Sequence, residues 1–431
     1  MDGITTVGID MYALAERLFP ICRSITGEGV RRSLRILREY LPLEVREVPS
    51  GTPVFDWEVP REWNVRQAWI KGPDGKKIVD FQENNLHLLG YSLPVRRRLS
   101  LSELKAHLYS LPEQPEVIPY RTSYYQENWG FCLPHRQLES LPEGEYEVLV
   151  DSSLEAGSLA YGEYYLPGET EAEVLFSAHI CHPSLANDNL SGISLLTFLA
   201  RELQKAARRY SYRFLFIPGT IGAICWLARN EEKTRLIRHG LVASLLGDPG
   251  GFTYKRSRQG NAWIDRAAEH VLKHQGVPCQ VIDFTPYGYD ERQFCSPGFN
   301  LPVGSLTRSP YGSFPEYHTS ADNLSFIRPE CLGESFDVYR KIIQVLEGNA
   351  VYRNLNPRCE PQLGKRGLYD AIGGASDAKA RQLALLWVLN LSDGNHSLLD
   401  IAERSGYPFG LIQEVSGLLV EAGLLVKVED V

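Results

Sequence analysis

The chain has 431 residues, more than one hydrophobic core usually accommodates, so two or three domains are expected. Hydrophobic residues make up 43%, charged residues 23% and aromatics 10%, ordinary globular usage that argues against a disordered, collagen-like or membrane-spanning chain. A formal net charge of -8 gives no general pull toward nucleic acid or anionic lipid. Asp2 and Asp10 stand where a secretory signal would carry Lys or Arg, and no segment reaches the roughly eighteen apolar residues of a membrane span, so a cytoplasmic location is expected. The eight cysteines show no C-x-x-C pair and no dense disulfide spacing, as for free or buried thiols.

In chain order, apolar residues at helical spacing predict two helices between Met11 and Tyr40, separated by the turn CRSITGEG. From Leu43 to about Leu149 short β-like runs alternate with turn signals, including a hairpin around Pro73, Asp74 and Gly75. From Glu173 the texture becomes strand, loop and helix: EVLFSAHI, a polar loop, SGISLLTFLARELQKAARR, then YRFLFI. GLVASLLGDPG, PCQVIDF and LPVGSLT are further strand candidates, and PECLGESFDVYRKIIQVLEGNA predicts a closing helix. This alternation reads as an α/β core of residues 1–42 plus 150–355, interrupted by a β-rich module over 43–149. After a linker containing Pro, Gly and Asn, residues 370–431 read as three helices and a short β-tail, the winged-helix pattern.

The segment His179-Ile-Cys-His182-Pro-Ser-Leu-Ala-Asn-Asp188-Asn-Leu-Ser-Gly192 follows an apolar strand and opens a helix, which puts its polar residues at the carboxyl edge of a sheet, where open α/β folds bind ligands. A strand-end His and an Asp nine residues later can converge on one metal, since imidazole and carboxylate both suit zinc. The alternative is that Asp188 caps the helix and His179 is a strand-end histidine with ordinary partners.

This segment resembles the metal-binding signature of zinc aminopeptidases with a co-catalytic metal pair, and EYHTSADN around His318 is similar to their closing motif. The whole arrangement resembles bacterial aminopeptidase-like proteins. The resemblance implies a three-layer αβα core with a mixed sheet, the inserted β-rich domain and the C-terminal winged helix. It places His179, Asp188 and His318 on metal-ligand positions, with Asp322 on the polar position that follows. Asp248, in SLLGDPGG, matches a further carboxylate ligand, its alternative being a turn residue before Pro249. With Asp248 the set is two His and two carboxylates; without it, an open three-ligand site remains. One Zn2+ is expected.

Two departures from the family pattern bear on chemistry. Gly219 and Thr220, in FLFIPGTIGAICWL, stand where the family carries two glutamates, one of them the general base. The aspartate that orients the first histidine is replaced by Cys181, or displaced by His182, and such a partner normally fixes a ligand's tautomer. The remaining acid–base candidates are Glu316, the pair Asp290 and Glu291, and His182, which could also be a ligand. Arg308, Tyr311, Arg256, Arg258 and Arg23 lie in loops that could meet substrate, an arginine there clamping a carboxylate in bidentate fashion.

Over 377–431 four basic residues face eight acidic ones, and PFGLIQEVSGLLVEAGLL has no Lys or Arg. An acidic module lacks the electrostatic term that dominates DNA affinity, which argues against DNA and for a protein partner or a homo-oligomer. The leading expectation is therefore a zinc-dependent hydrolase acting on a small peptide or an aminoacylated small molecule. The alternatives are a metal-binding interaction protein that has lost its base, and a winged-helix regulator.

Overall fold

The computed structural model describes residues 3–368 and 376–428. They divide into two compact units: Met1–Ala262 with Gln280–Asp337, and Trp263–Cys279 with Val338–Val431. Of the expected terminal domain, residues 370–375 and 429–431 lie outside the described residues, the acidic Glu429 and Asp430 among them.

The first unit is organised by an eight-stranded mixed sheet. Strand Glu173–His179 pairs in parallel with Ser211–Ile217 on one side and Ile237–Ala243 on the other, and Ile237–Ala243 pairs in parallel with Val303–Thr307. The sheet continues on one side through Ser158–Leu166 and Glu44–Pro49, both antiparallel, and on the other through antiparallel Phe252–Lys255 to Cys279–Ile282. Every residue of Glu173–His179 and Ser211–Ile217 is buried, the signature of central strands covered on both faces. Helix Gly192–Leu203 lies on one face, and helix Gly3–Leu18 packs against it. Side chains alternate along a strand, so Leu175, Leu215 and Ile217 point together to the opposite face, where they cluster with Trp226 and Phe294.

The β-rich segment forms a four-stranded antiparallel sheet in the order Lys77–Asp80, Glu62–Lys71, Glu145–Glu155, Val95–Ser100. The hairpin turn expected at Pro73–Gly75 is there, with Gly75 at φ 76, a left-handed conformation that glycine adopts without strain. Trp63, Ile70 and Val148 of this sheet join the same apolar cluster as Leu175 and Trp226. The insertion is thus cemented to the core by a shared hydrophobic interior.

Arg213 lies buried in the main sheet, where Nε and Nη2 donate to both oxygens of Glu173 at 2.7 and 2.6 Å while Nη1 pairs with Glu163. Glu163 also accepts from Trp226 Nε1 at 3.2 Å. The cluster therefore ties three neighbouring strands to the helix Ile221–Arg229 that covers them.

In the second unit helices Ser376–Leu391, Leu398–Ser405 and Phe409–Glu421 accompany a three-stranded sheet with Val351–Asn354 in the middle, Asp393–Ser397 on one side and Leu425–Lys427 on the other. Ser397 and Asp400 cap Leu398–Ser405 reciprocally, and Asp400 also accepts from Arg266 at 2.6 Å. His270, on helix Trp263–Lys273, accepts the backbone N–H of Phe409 through Nε2 at 3.0 Å. Among the described residues no helix is long and apolar enough to cross a membrane.

Two outcomes follow. Arg213→Ala leaves two buried carboxylates without their cation, so the urea midpoint of the first unit should fall by an amount equivalent to about 3–5 kcal/mol. His270 is buried with its pKa pushed down to about 4, chiefly by loss of hydration. The unfolded chain takes up that proton first, near pH 6.5, so stability should be full above that pH and decline as pH falls toward 4. The loss amounts to at most about 3 kcal/mol. It should be read as faster amide exchange in Phe409–Glu421, corrected for intrinsic rates, and His270→Gln should flatten the dependence.

Candidate metal centre

His179 is the last residue of a central strand, and Asp188 sits in a wide π-type turn, Ala186–Ser191, that leads into helix Gly192–Leu203. Asp188 does not cap that helix: Asn189 Oδ1 accepts the Gly192 N–H at 3.1 Å, which leaves the Asp188 carboxylate facing the histidines. His179 Nε2 lies 2.7 Å from Asp188 Oδ1, and His318 Nε2 lies 3.0 Å from Asp188 Oδ2. His182 completes a group with His179 and Asp188 whose donor atoms all fall within 4.8 Å of one another. Burial alone would raise the Asp188 carboxyl pKa, but the imidazoles of His182, His179 and His318 hold it well below the usual range. His182 moves the other way, down to about 3, chiefly through loss of hydration and against the pull of Asp188.

Asp188 Oδ2 and His318 Nε2 are both buried and, despite their proximity, neither has a hydrogen-bond partner. Two lone-pair donors facing each other at 3.0 Å, one on a fully buried carboxylate, fit a cation held between them. The donor set of two or three imidazoles and one carboxylate suits zinc.

The loops that carry these groups are held by named contacts. Asp322 accepts the backbone N–H groups of Asn187 at 2.6 Å and Asp188 at 2.9 Å, so it positions the turn that carries Asp188. The insertion fastens the His318 loop: Tyr120 N–H donates to the His318 carbonyl at 2.8 Å, and Ser320 N–H to the Ile118 carbonyl at 2.8 Å. His318 itself takes φ 55, a left-handed conformation seldom seen outside glycine and typical of over-determined functional positions.

Aromatic rings wall the site. Tyr289 stacks on His179 with centroids 4.7 Å apart, Tyr317 stacks on His318 at 4.0 Å, and Tyr120 meets both His182 and His318 edge-on. Tyr311 stands against Tyr289 at 5.6 Å, close to this wall. The sequence reading singled out Tyr311 but passed over Tyr289, Tyr317 and Tyr120. For Tyr289 and Tyr317 the signal was adjacency to Asp290 and His318 in YGYDERQF and EYHT, weak in a chain with 22 tyrosines, and Tyr120 lies far from both in sequence.

Other expected site residues are engaged elsewhere. Asp248 accepts from Ser309 Oγ at 2.6 Å, Gly250 N–H at 2.8 Å and Asn187 Nδ2 at 3.0 Å, an arrangement that locks loops rather than facing the histidines. Glu291 is ion-paired with buried Lys255 at 2.5 Å. Arg308 is 3% exposed and donates to the carbonyls of Gly250 and Cys331 and to Glu334, so it braces the fold and does not reach into the site. Arg23, 1% exposed, donates to the carbonyls of His182 and Leu18 and so supports the His182 turn from behind. Arg256 pairs with Asp283. Arg258 donates to Asn300. Glu316 is half-buried, and its carbonyl closes the turn before His318 by accepting from Thr319. Cys181 does not take the orienting role at His179; Asn189 Nδ2 lies 3.3 Å from His179 Nδ1, while Cys181 Sγ faces the Gly219 carbonyl.

Fold and site together define an aminopeptidase-like α/β protein with a C-terminal winged helix. The chain belongs to the family described as a domain of unknown function (DUF4910), whose profile matches residues 12–349, and a winged helix-turn-helix profile matches residues 350–427. A Clostridium acetobutylicum protein described as a candidate polysaccharide biosynthesis protein with an aminopeptidase-like domain is 54% identical over 425 residues, 99% of this chain and 98% of its own. The crystal structure of a candidate peptidase from Clostridium acetobutylicum superposes with TM-score 0.94 at 52% identity, covering 99% of this chain and 97% of that one. A zinc aminopeptidase from Bacillus subtilis shares the fold with TM-score 0.58 at 12% identity, over 79% of this chain and 94% of that one.

Asp322→Ala removes the acceptor of two buried N–H groups and should cost about 2–4 kcal/mol in urea unfolding. Asp322→Asn, which keeps one acceptor oxygen, should lose less.

Proposed function

We propose that this chain is a zinc-dependent hydrolase of the aminopeptidase type that cleaves an amide bond in a small peptide or an aminoacylated small molecule. The observation that carries this reading is the Asp188 carboxylate set between His179 and His318, with Asp188 Oδ2 and His318 Nε2 buried and unpartnered. His179, Asp188 and His318 would hold one ion, and His182 stands close enough to His179 and Asp188 to add a fourth donor. When bound, zinc supplies Lewis acidity, polarising a carbonyl and acidifying water.

The chain's own residues do the rest. Asp188 contributes the negative charge that makes a pair of imidazoles into a cation site. Tyr289 and Tyr317 cover the outer faces of His179 and His318, and their hydroxyls lie 3.4 Å apart, which narrows access for bulk water and strengthens electrostatic interactions inside. Tyr289 Oη, 3.4 Å from Asp188 Oδ1, can donate to that carboxylate and steady it. The name of the Clostridium acetobutylicum relative, with its reference to polysaccharide biosynthesis, suits an amide carried on a sugar as well as a peptide. For the winged-helix unit the reading is a protein contact or self-association, supported by its excess of acidic over basic residues.

A second reading has its own observation: Gly219 and Thr220 supply no carboxylate at the edge of the site, which favours a protein that binds metal and partners without turnover. Equilibrium dialysis against buffered zinc separates these readings from the absence of a site. About one zinc per chain is expected, with affinity reduced by about two orders of magnitude or more in His179→Ala and His318→Ala. A wild-type chain that takes up no zinc, or variants that bind it unchanged, would overturn the site. Zinc without turnover on aminoacyl and N-acyl amides would select the second reading.

A further inference from the structure

Asp290 precedes the short helix Glu291–Phe294 and is 1% exposed, yet neither of its carboxylate oxygens has a hydrogen-bond partner. A buried carboxylate without partners is costly and calls for a reason. It does not share the ion pair of its neighbour, since Lys255 is taken by Glu291. What it faces is Gly219: a Cβ placed there would lie 3.5 Å from Asp290 Oδ1 and 3.1 Å from the Cβ of His179. The gap between Asp290 and the first histidine of the centre is therefore open because residue 219 has no side chain. A longer side chain at that position would compete for this space.

We infer that Asp290 supplies the proton-accepting carboxylate that the Gly219–Thr220 segment lacks, reaching the centre from a different loop; the inference rests on the amide hydrolysis proposed above. As the oxygen of water bonds to the amide carbonyl carbon, Asp290 takes the proton that the water loses. As the C–N bond breaks, Asp290 returns that proton to the departing nitrogen. The products are a carboxylic acid and an amine, and Asp290 ends as it began. Glu291 differs in that one of its oxygens already holds Lys255, and His182 is itself among the candidate donors.

The test uses the full chain loaded with zinc, comparing wild type, Asp290→Asn and Asp290→Glu. Three quantities are measured: zinc affinity by competition with a chromophoric chelator, acetohydroxamate affinity by calorimetry, and hydrolysis of L-leucine p-nitroanilide. Acetohydroxamate gives up a proton on binding and so probes the acceptor without needing the natural substrate. Asp290→Asn should keep zinc affinity and bind acetohydroxamate about tenfold or more weakly. Where leucine p-nitroanilide is turned over, kcat should fall by about 100-fold or more with KM little changed, and Asp290→Glu should recover part of both losses. Because a near-isosteric amide replaces an unpartnered buried carboxyl group, the Asn variant should unfold at an equal or higher temperature, which excludes misfolding as the cause. Acetohydroxamate affinity that is the same in wild type and Asp290→Asn contradicts the inference. A loss of zinc affinity in Asp290→Asn also contradicts it, by making Asp290 a ligand. A wild-type chain that takes up no zinc fails the hydrolase reading itself and removes the basis for this one.

Discussion

Burying an ionised carboxylate costs several kcal/mol unless neighbouring charges and hydrogen bonds answer it, and Asp188 is buried with three imidazoles around it. Much of the surrounding structure holds that arrangement together. The central strand delivers His179, the π-type turn aims Asp188 at it, and Asp322 grips the turn by two backbone N–H groups. His318 Nε2 approaches Asp188 Oδ2 to 3.0 Å from the other side of the same carboxylate. Arg23 and Arg308, though cationic and expected to meet substrate, turn their guanidinium groups toward backbone carbonyls.

The inserted β-rich sheet has a concrete part in this. It shares a hydrophobic interior with the main sheet, and through Ile118, Pro119 and Tyr120 it forms a bridge to the loop that carries His318. His318 is thereby held in a left-handed conformation that an untethered loop would relax. The insertion acts as a clamp on the His318 loop and, through Tyr120, as part of the wall around two histidines.

Much of the fold was legible because hydrophobic periodicity reports burial directly: the all-apolar EVLFSAHI and YRFLFI became central parallel strands, and the Pro-Asp-Gly turn became a hairpin. Trp263–Lys273 and the end of helix Pro329–Gly348 carry the same α/β alternation as the core and belong to the terminal unit. Strand Val351–Asn354 was missed, being four residues long and followed by a Pro- and Asn-containing stretch. In the site, His179, Asp188 and His318 could be read from their motifs. The commitments of Asp248, Glu291 and Arg308 could not, since they depend on partners such as Asn187, Lys255 and Glu334 that are distant in sequence. The unpartnered state of Asp290 is likewise a property of three-dimensional packing.

The geometry around Asp188 makes a claim about where an ion sits, and the most direct measurement is anomalous scattering at the zinc edge from crystals grown with zinc. The account predicts one strong peak within bonding distance of His179, Asp188 and His318. A peak elsewhere, or none at saturating zinc, would contradict it.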